Sequence, residues 1–333
     1  MNTPIKARLN LVRDDACKRV NVLVDGELFT AYIYPDRIMK PVLYPVITAG
    51  GHRVTRGFPL DRVAGERVDH PHHVGIWLNY GNVNGLDFWN NSEAVPVDRK
   101  HTFGTIRHRD IIDAREDGST AFLAVSADWL RPNGSPLIAE RTDFRFSASA
   151  TDRIIDRTTT LTAVEEDVVF KDDKEGMIAI RVARGLEQPA SQPEIFTDSE
   201  GRPTAVPLLN NDGVTGRYFS SEGPEGDDVW GTRGRWMTLA GRLGAEEVSV
   251  IMVDHPTNPG YPTYWHARGY GLYAANPLGQ AALSDGKDIL NLTLKQGASV
   301  RFQYRFVIHS GPRPGNEHIA SRYAAFGSLT PSV

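Results

Sequence analysis

A single cysteine, Cys17, among 333 residues leaves no partner for an intrachain disulfide. That usage suits a reducing cytoplasm. Long apolar runs are missing, and none approaches the roughly 20 residues that a membrane-spanning helix needs. The first residues, Met1-Asn2-Thr3-Pro4-Ile5-Lys6, lack the apolar stretch of a secretory leader, so a cytoplasmic location without membrane contact is expected. Neither sign of charge dominates: 37 basic residues face 41 acidic ones, for a formal net charge of -4. With no basic tail or patch, nucleic acid is not an expected partner. Gly-x-Gly-x-x-Gly, a Walker loop, Gly-x-Ser-x-Gly, His-Glu-x-x-His, paired cysteines and an EF-hand loop are all absent, which removes support for dinucleotide enzymes, elbow hydrolases and fixed-spacing metal sites. Helical periodicity is scarce as well. It is clearest over 316–326, where Ile319, Tyr323 and Phe326 share one face of a short C-terminal helix.

What the chain has in quantity is strand. Residues 19–24 end in Asp25-Gly26, a hairpin turn pair, before the run 28–34. Further β-branched and aromatic runs lie at 43–48, 74–80, 121–130, 142–149, 153–164, 177–182, 236–240, 248–253, 289–295 and 300–309. About a dozen short strands separated by turn residues predict an all-β fold, a large antiparallel β-sandwich. Residues 183–233 break the rhythm with many Gly, Pro, Asp and Asn. Flanked by β segments and holding Tyr218 and Trp230, they read as a long irregular insertion or lid within a single domain spanning 1–333.

Chemistry concentrates in four patches. Asp69-His70-Pro71-His72-His73 puts three of the ten histidines in four positions. Histidine moves protons near neutral pH and is the commonest metal ligand. An extended backbone there would send His70 and His72 to one face and His73 to the other. The segment runs on through Trp77 to an aromatic, polar loop holding Trp89, whose flat face suits a sugar ring. The second patch, Asp172-Asp173-Lys174-Glu175-Gly176, crowds three carboxylates at the mouth of a strand, and a regular strand would align Glu175 with Arg181. The third is Asp254-His255-Pro256. In the fourth, Tyr264, His266, Arg268 and Tyr270 share one face when extended, a cationic and phenolic clamp for an anion or for sugar hydroxyls. His70 and His72 with His255 or His266 (or Glu175) would be a ligand set for Zn²⁺ or a similar divalent metal.

Taken in order, Leu43-Tyr44-Pro45-Val46, Val54-Thr55-Arg56-Gly57-Phe58-Pro59, Asp69-His70-Pro71-His72-His73, Asn84-Gly85-Leu86-Asp87-Phe88-Trp89, Lys174-Glu175-Gly176, Asp254-His255-Pro256, His266-Ala267-Arg268-Gly269-Tyr270-Gly271-Leu272 and Ala275-Asn276-Pro277-Leu278-Gly279 resemble one bacterial family, the PmoA-like proteins often labelled methane oxygenase PmoA. The resemblance runs from about Pro41 to His309. The label would name a membrane subunit, and this chain has no spanning segment. What the resemblance implies is a galactose-mutarotase-like supersandwich in a carbohydrate-degrading setting, beside sugar oxidoreductases. Aldose mutarotases pair a histidine acid with a glutamate base. Carried over, His72 or His73 would be the acid and Glu175 the base, with His266 beside them. His70, Trp89, Arg181, His255, Arg268 and Asn276 would hold the sugar. This sequence departs from the mutarotase pattern around its histidines, and the surplus imidazole keeps a metal-assisted reaction on a keto-sugar open. The expected function is an epimerase, isomerase or lyase acting on a sugar or keto-sugar. The alternatives are a non-catalytic sugar-binding sandwich and an accessory subunit of a sugar oxidoreductase, with a homodimer as one assembly for either.

Overall fold

Short β-branched and aromatic runs between turn residues fold into strands because their side chains pack on a pleated surface. The computed structural model describes residues 7–324 and 326. The leader reading of residues 1–6, and Ala325 of the C-terminal helical stretch, fall outside them. In chain order the first strands are β1 (Leu9–Asp14), β2 (Arg19–Val24), β3 (Glu27–Ile33), β4 (Val42–Val46) and β5 (Ile76–Leu78). A run of long strands follows: β6 (Thr105–Glu116), β7 (Thr120–Leu130), β8 (Pro136–Ala148) and β9 (Asp152–Ala163). Then come β10 (Val168–Phe170), β11 (Ile178–Arg181), β12 (Arg217–Ser220), β13 (Trp236–Leu243) and β14 (Glu246–Asp254). The last are β15 (Tyr264–Arg268), β16 (Leu272–Asn276), β17 (Leu292–Leu294) and β18 (Ser299–Ser310).

These strands build the antiparallel β-sandwich that the sequence predicts. One eight-stranded sheet has the order β1-β2-β3-β4-β5-β11-β16-β15, the other β12-β13-β14-β18-β9-β8-β7-β6, and β10 pairs with β17 alone. Inner faces meet in one core, in which Ile76, Ile178 and Tyr273 of the first sheet pack with Phe146, Leu239 and Phe306 of the second. Each such side chain removed from water contributes about 1.5–3 kcal/mol. The Tyr273 hydroxyl donates across the sandwich to the Met237 carbonyl, and it accepts from the Met252 N–H at 3.1 Å.

The first sheet is apolar on its outer face too, where Ala31, Val42, Trp77, Ala179, Leu272 and Ala274 form a second cluster with Val74 and Trp89. A sheet buried on both sides reads as unbroken apolar sequence. That accounts for β16, Leu272-Tyr273-Ala274-Ala275-Asn276, showing no alternation. β1, β6 and β12, equally unmarked in the sequence, are sheet edges. These three have less to bury than the inner strands and carry charge on exposed positions, as β6 does from Arg107 to Glu116. The outer face of the second sheet is closed by the C-terminal helical stretch. Asn316–His318 and Ile319–Tyr323 are helical, and Ile319, Tyr323 and Phe326 pack on Trp236, Ile251, Val253 and Val307.

Gly75 joins the histidine segment to β5 at φ +60°, with its missing Cβ pointing 2.2 Å from the Leu43 carbonyl oxygen. Gly75→Ala is therefore expected to destabilise the fold by about 2–4 kcal/mol, from left-handed strain plus overpacking. Urea titration reads this directly, and an unchanged midpoint would show that the β4–β5 junction tolerates a methyl group.

Candidate functional site

The outer face of the first sheet carries most of the reactive residues. In the first patch the extended reading is corrected. His70 has φ +44°, and the His73 N–H bonds back to the His70 carbonyl at 3.0 Å, which makes 70–73 a turn. The turn gathers the three imidazoles that an extended strand would have sent to opposite faces. His73 stacks on Trp77 (5.2 Å, 20°) and on His70 (4.8 Å, 2°), and His70 stacks in turn on Tyr270 (5.0 Å, 9°). His72 meets His73 edge-on at 4.3 Å.

Buried ion pairing fixes this turn. Asp69 Oδ1 accepts from Arg56 at 2.7 Å and from Arg181 at 2.6 Å, and Oδ2 lies 2.7 Å from His70 Nδ1. Burial alone would raise the Asp69 carboxyl, but His70 and the two guanidinium groups outweigh it and hold the group well below the usual carboxylate range. Arg56 also donates to the carbonyls of Asp69, His70 and His73. Arg181 lies 3.2 Å from His73 Nδ1 and 4.8 Å from the centre of the Tyr270 ring. Asp69 and Arg56 were missed as site residues, because no spacing rule marks a buried carboxylate bridging two arginines. Tyr270, seen in the sequence only as one member of a shared face, proves to link the histidine turn to the rest of the site.

Glu175 and His266 are brought together from distant parts of the chain. β11 begins only at Ile178, so the expected alignment of Glu175 with Arg181 along one strand does not occur. The loop before β11 instead turns the Glu175 carboxylate towards β15, where Oε2 lies 3.9 Å from His266 Nδ1. Lys174 pairs with the other carboxylate oxygen. Asn276 holds this loop, donating at 2.9 Å to the carbonyls of both Asp173 and Lys174 while its oxygen accepts from Leu278 and Gly279. Its polar atoms are thus spent on placing Glu175. The His266 Nδ1 is buried and has no hydrogen-bond partner. Arg268, one turn of the strand pleat further along, lies over the Trp230 ring at 5.1 Å. Segment 183–233 thus meets this wall: the Trp265 N–H bonds the Thr232 carbonyl at 2.9 Å, beside Trp230.

Three expected assignments land elsewhere. Trp89 is fully buried against Trp77 (5.3 Å), so its ring is closed to a sugar. His255, at the end of β14, bonds Thr257 at 2.8 Å and packs edge-on against Phe326, on the side covered by the C-terminal stretch. The proposed ligand set of His70 and His72 with His255 or His266 is not assembled: among the described residues, no three His, Cys, Asp or Glu side chains converge as metal ligands. The turn aims its imidazoles at one another and at Trp77 and Tyr270 rather than at a common point.

Burial keeps three imidazoles on this face neutral. It pushes His72 down to about 2, with Lys40 and His70 adding repulsion, and it holds His73 far below the ordinary value. His266 is pushed down to about 4 by burial, against the pull of Glu175. A base depressed in the folded state contributes stability that is intact above its unfolded value, about 6.5, and lost as pH falls toward the folded value. Each such group costs up to about 1.4 kcal/mol per pH unit in that window. Wild-type stability is expected to fall steeply from about pH 6.5 to about pH 4, and His266→Asn to make that slope shallower by roughly one proton. An identical slope in the variant would contradict a neutral buried His266.

A sequence profile described as "Family of unknown function (DUF6807)" matches residues 19–324; it does not confirm the PmoA-like label that the motifs suggested. No curated protein matches the chain. Solved structures similar to it include a GH36 α-galactosidase from Geobacillus stearothermophilus, 8% identical, with a TM-score of 0.43 over 91% of this chain and 41% of that one. The chain thus spans less than half of that enzyme. Galactose 1-epimerase from Lactobacillus acidophilus is 11% identical, with a TM-score of 0.40 over 92% of this chain and 100% of that one. A galactose mutarotase-like protein from Clostridium acetobutylicum is 10% identical, with a TM-score of 0.37 over 92% and 99%. No helix among the described residues is long and apolar enough to cross a membrane.

Proposed function

The chain belongs to the family of unknown function DUF6807, and on that premise we propose that it performs acid–base chemistry on a sugar or keto-sugar, as an epimerase, isomerase or lyase. One observation carries the reading: a partly open carboxylate, Glu175, faces the buried and otherwise unpartnered Nδ1 of His266 at 3.9 Å. A carboxylate and a neutral imidazole side by side can take a proton at one atom of a substrate and return one at another. In this reading Glu175 removes a proton from a hydroxyl group, or from a carbon beside a carbonyl. His266, neutral near pH 7, gives or takes the second proton. Arg268, whose guanidinium carbon lies 5.1 Å from the centre of the Trp230 ring, offers its guanidinium to a substrate oxygen.

One feature favours a polyhydroxylated substrate. The stacked His70–Tyr270 pair and the Arg268–Trp230 pair supply flat surfaces on which the C–H face of a sugar ring can rest. The test is ¹H NMR of a panel of aldoses, ketoses and keto-sugars with and without the protein. Faster anomer exchange, epimer formation or elimination in at least one sugar is expected. A panel left at the buffer rate throughout would overturn the reading.

A further inference from the structure

We propose that Lys40 is an imine-forming lysine in a second site, taking a short hydroxylated ketone or aldehyde. Lys40 lines a cavity of about 190 Å³ together with His72, Leu60, Val74, Asn91 and Ser92. Neither Glu175, His266 nor Arg268 lines it, so the proposal does not depend on the reading of that pair.

The surroundings of the amine disfavour its charged form. Lys40 is only 3% exposed. Its Nζ donates to the His72 carbonyl at 2.8 Å, and no carboxylate among the described residues pairs with it. Asp87 acts on it only from a distance, and too weakly to offset burial, which brings the amine down to about 7. The Trp77 ring, 5.4 Å away, is the remaining support for an ammonium ion. A cation over an aromatic face gains about 0.5–2 kcal/mol, less than the several kcal/mol that burying an unpaired charge costs. A neutral amine needs only the single donor bond to His72, which leaves its lone pair free. Desolvation of this kind turns a lysine into a nucleophile.

The cavity, about 190 Å³ and partly open to solvent, has room for a carbonyl compound of about six non-hydrogen atoms. The Nζ lone pair attacks the carbonyl carbon and forms a C–N bond while the carbonyl π pair moves to oxygen, which takes up a proton. The new hydroxyl then leaves as water, carrying a proton from nitrogen, and C=N forms. The proton taken up by oxygen comes from solvent, since burial holds His72 neutral near pH 7.

Dihydroxyacetone with sodium cyanoborohydride at pH 7 tests this, because hydride reduction of C=N to CH–NH makes the adduct permanent. Mass spectrometry of the digested wild-type protein should find the gain of one probe molecule less one oxygen atom on Lys40. Labelling there should exceed that on exposed Lys100 and Lys287 by roughly tenfold or more. Lys40→Met should lose that adduct and keep the background. Adducts spread evenly over the lysines, or no adduct at all, would overturn the proposal. The wild-type map decides this alone should the variant fail to fold.

Discussion

Glu175→Gln is expected to lower kcat on the protein's sugar by about 10²- to 10⁴-fold, the range supplied by a positioned general acid or base. Glutamine keeps the shape of the side chain but cannot accept a proton from carbon or hydroxyl, so KM should change far less than kcat. His266→Asn should cost a comparable factor. Since Oε2 of Glu175 and Nδ1 of His266 are 3.9 Å apart, the two groups act as one unit. The double variant should therefore be little worse than the more damaged single one, as expected for groups that share a step. Steady-state rates for the four proteins decide this. Full additivity, or Glu175→Gln within tenfold of wild type, would remove the pair from the chemistry.

Asp69→Asn should give the largest loss of stability, about 3–5 kcal/mol, the usual penalty for taking one partner from a buried ionic group. Its carboxylate accepts from Arg56 at 2.7 Å and Arg181 at 2.6 Å, and both arginine side chains are fully buried. Asparagine removes the charge that neutralises two guanidinium groups and sets an amide N–H₂ against one of its three neighbours. The His70–His73 turn hangs from Arg56 through backbone carbonyls, so the imidazole stack should loosen with it. Urea unfolding followed by tryptophan fluorescence reports both, since His73 stacks on Trp77. The pH window is also distinct. A depressed carboxyl contributes stability that is present above its unfolded value, near 3.9, and lost as pH falls through the folded one. The Asp69→Asn penalty should therefore persist unchanged from pH 7 to about pH 5. A loss under about 1 kcal/mol would mean that the turn is held by its stacking instead.

Much of this fold could be read in the sequence because most inner strands alternate or carry dense β-branched runs. The hairpin at Asp25-Gly26 and the long strand over 153–164 are examples, seen as β2–β3 and β9. The edge strands β1, β6 and β12 escaped because much of each is exposed, and β16 escaped because both of its faces are buried. The site was half visible. Composition drew attention to His70, His72, His73, Glu175, His266 and Arg268, all on or beside one face of one sheet. Their partnering was hidden because it depends on contacts across more than a hundred residues, such as Arg181 with Asp69. The turn at His70 was unreadable for a different reason: a non-glycine residue at positive φ is held by its surroundings rather than by its own preference. Lys40 gave no sign of itself, since a lysine beside proline is ordinary until its burial is known.

Solvent hydrogen exchange tests the central claim most directly. A sugar that binds the protein, incubated in D₂O with wild type or Glu175→Gln, is followed by NMR for deuterium entering a C–H bond and for interconversion of its forms. The account predicts enzyme-dependent exchange or interconversion with wild type and its loss in the variant, while saturation-transfer signals show that both proteins still bind the sugar. Binding by wild type with the sugar left unchanged would contradict an acid–base enzyme and make the face a carbohydrate-binding surface.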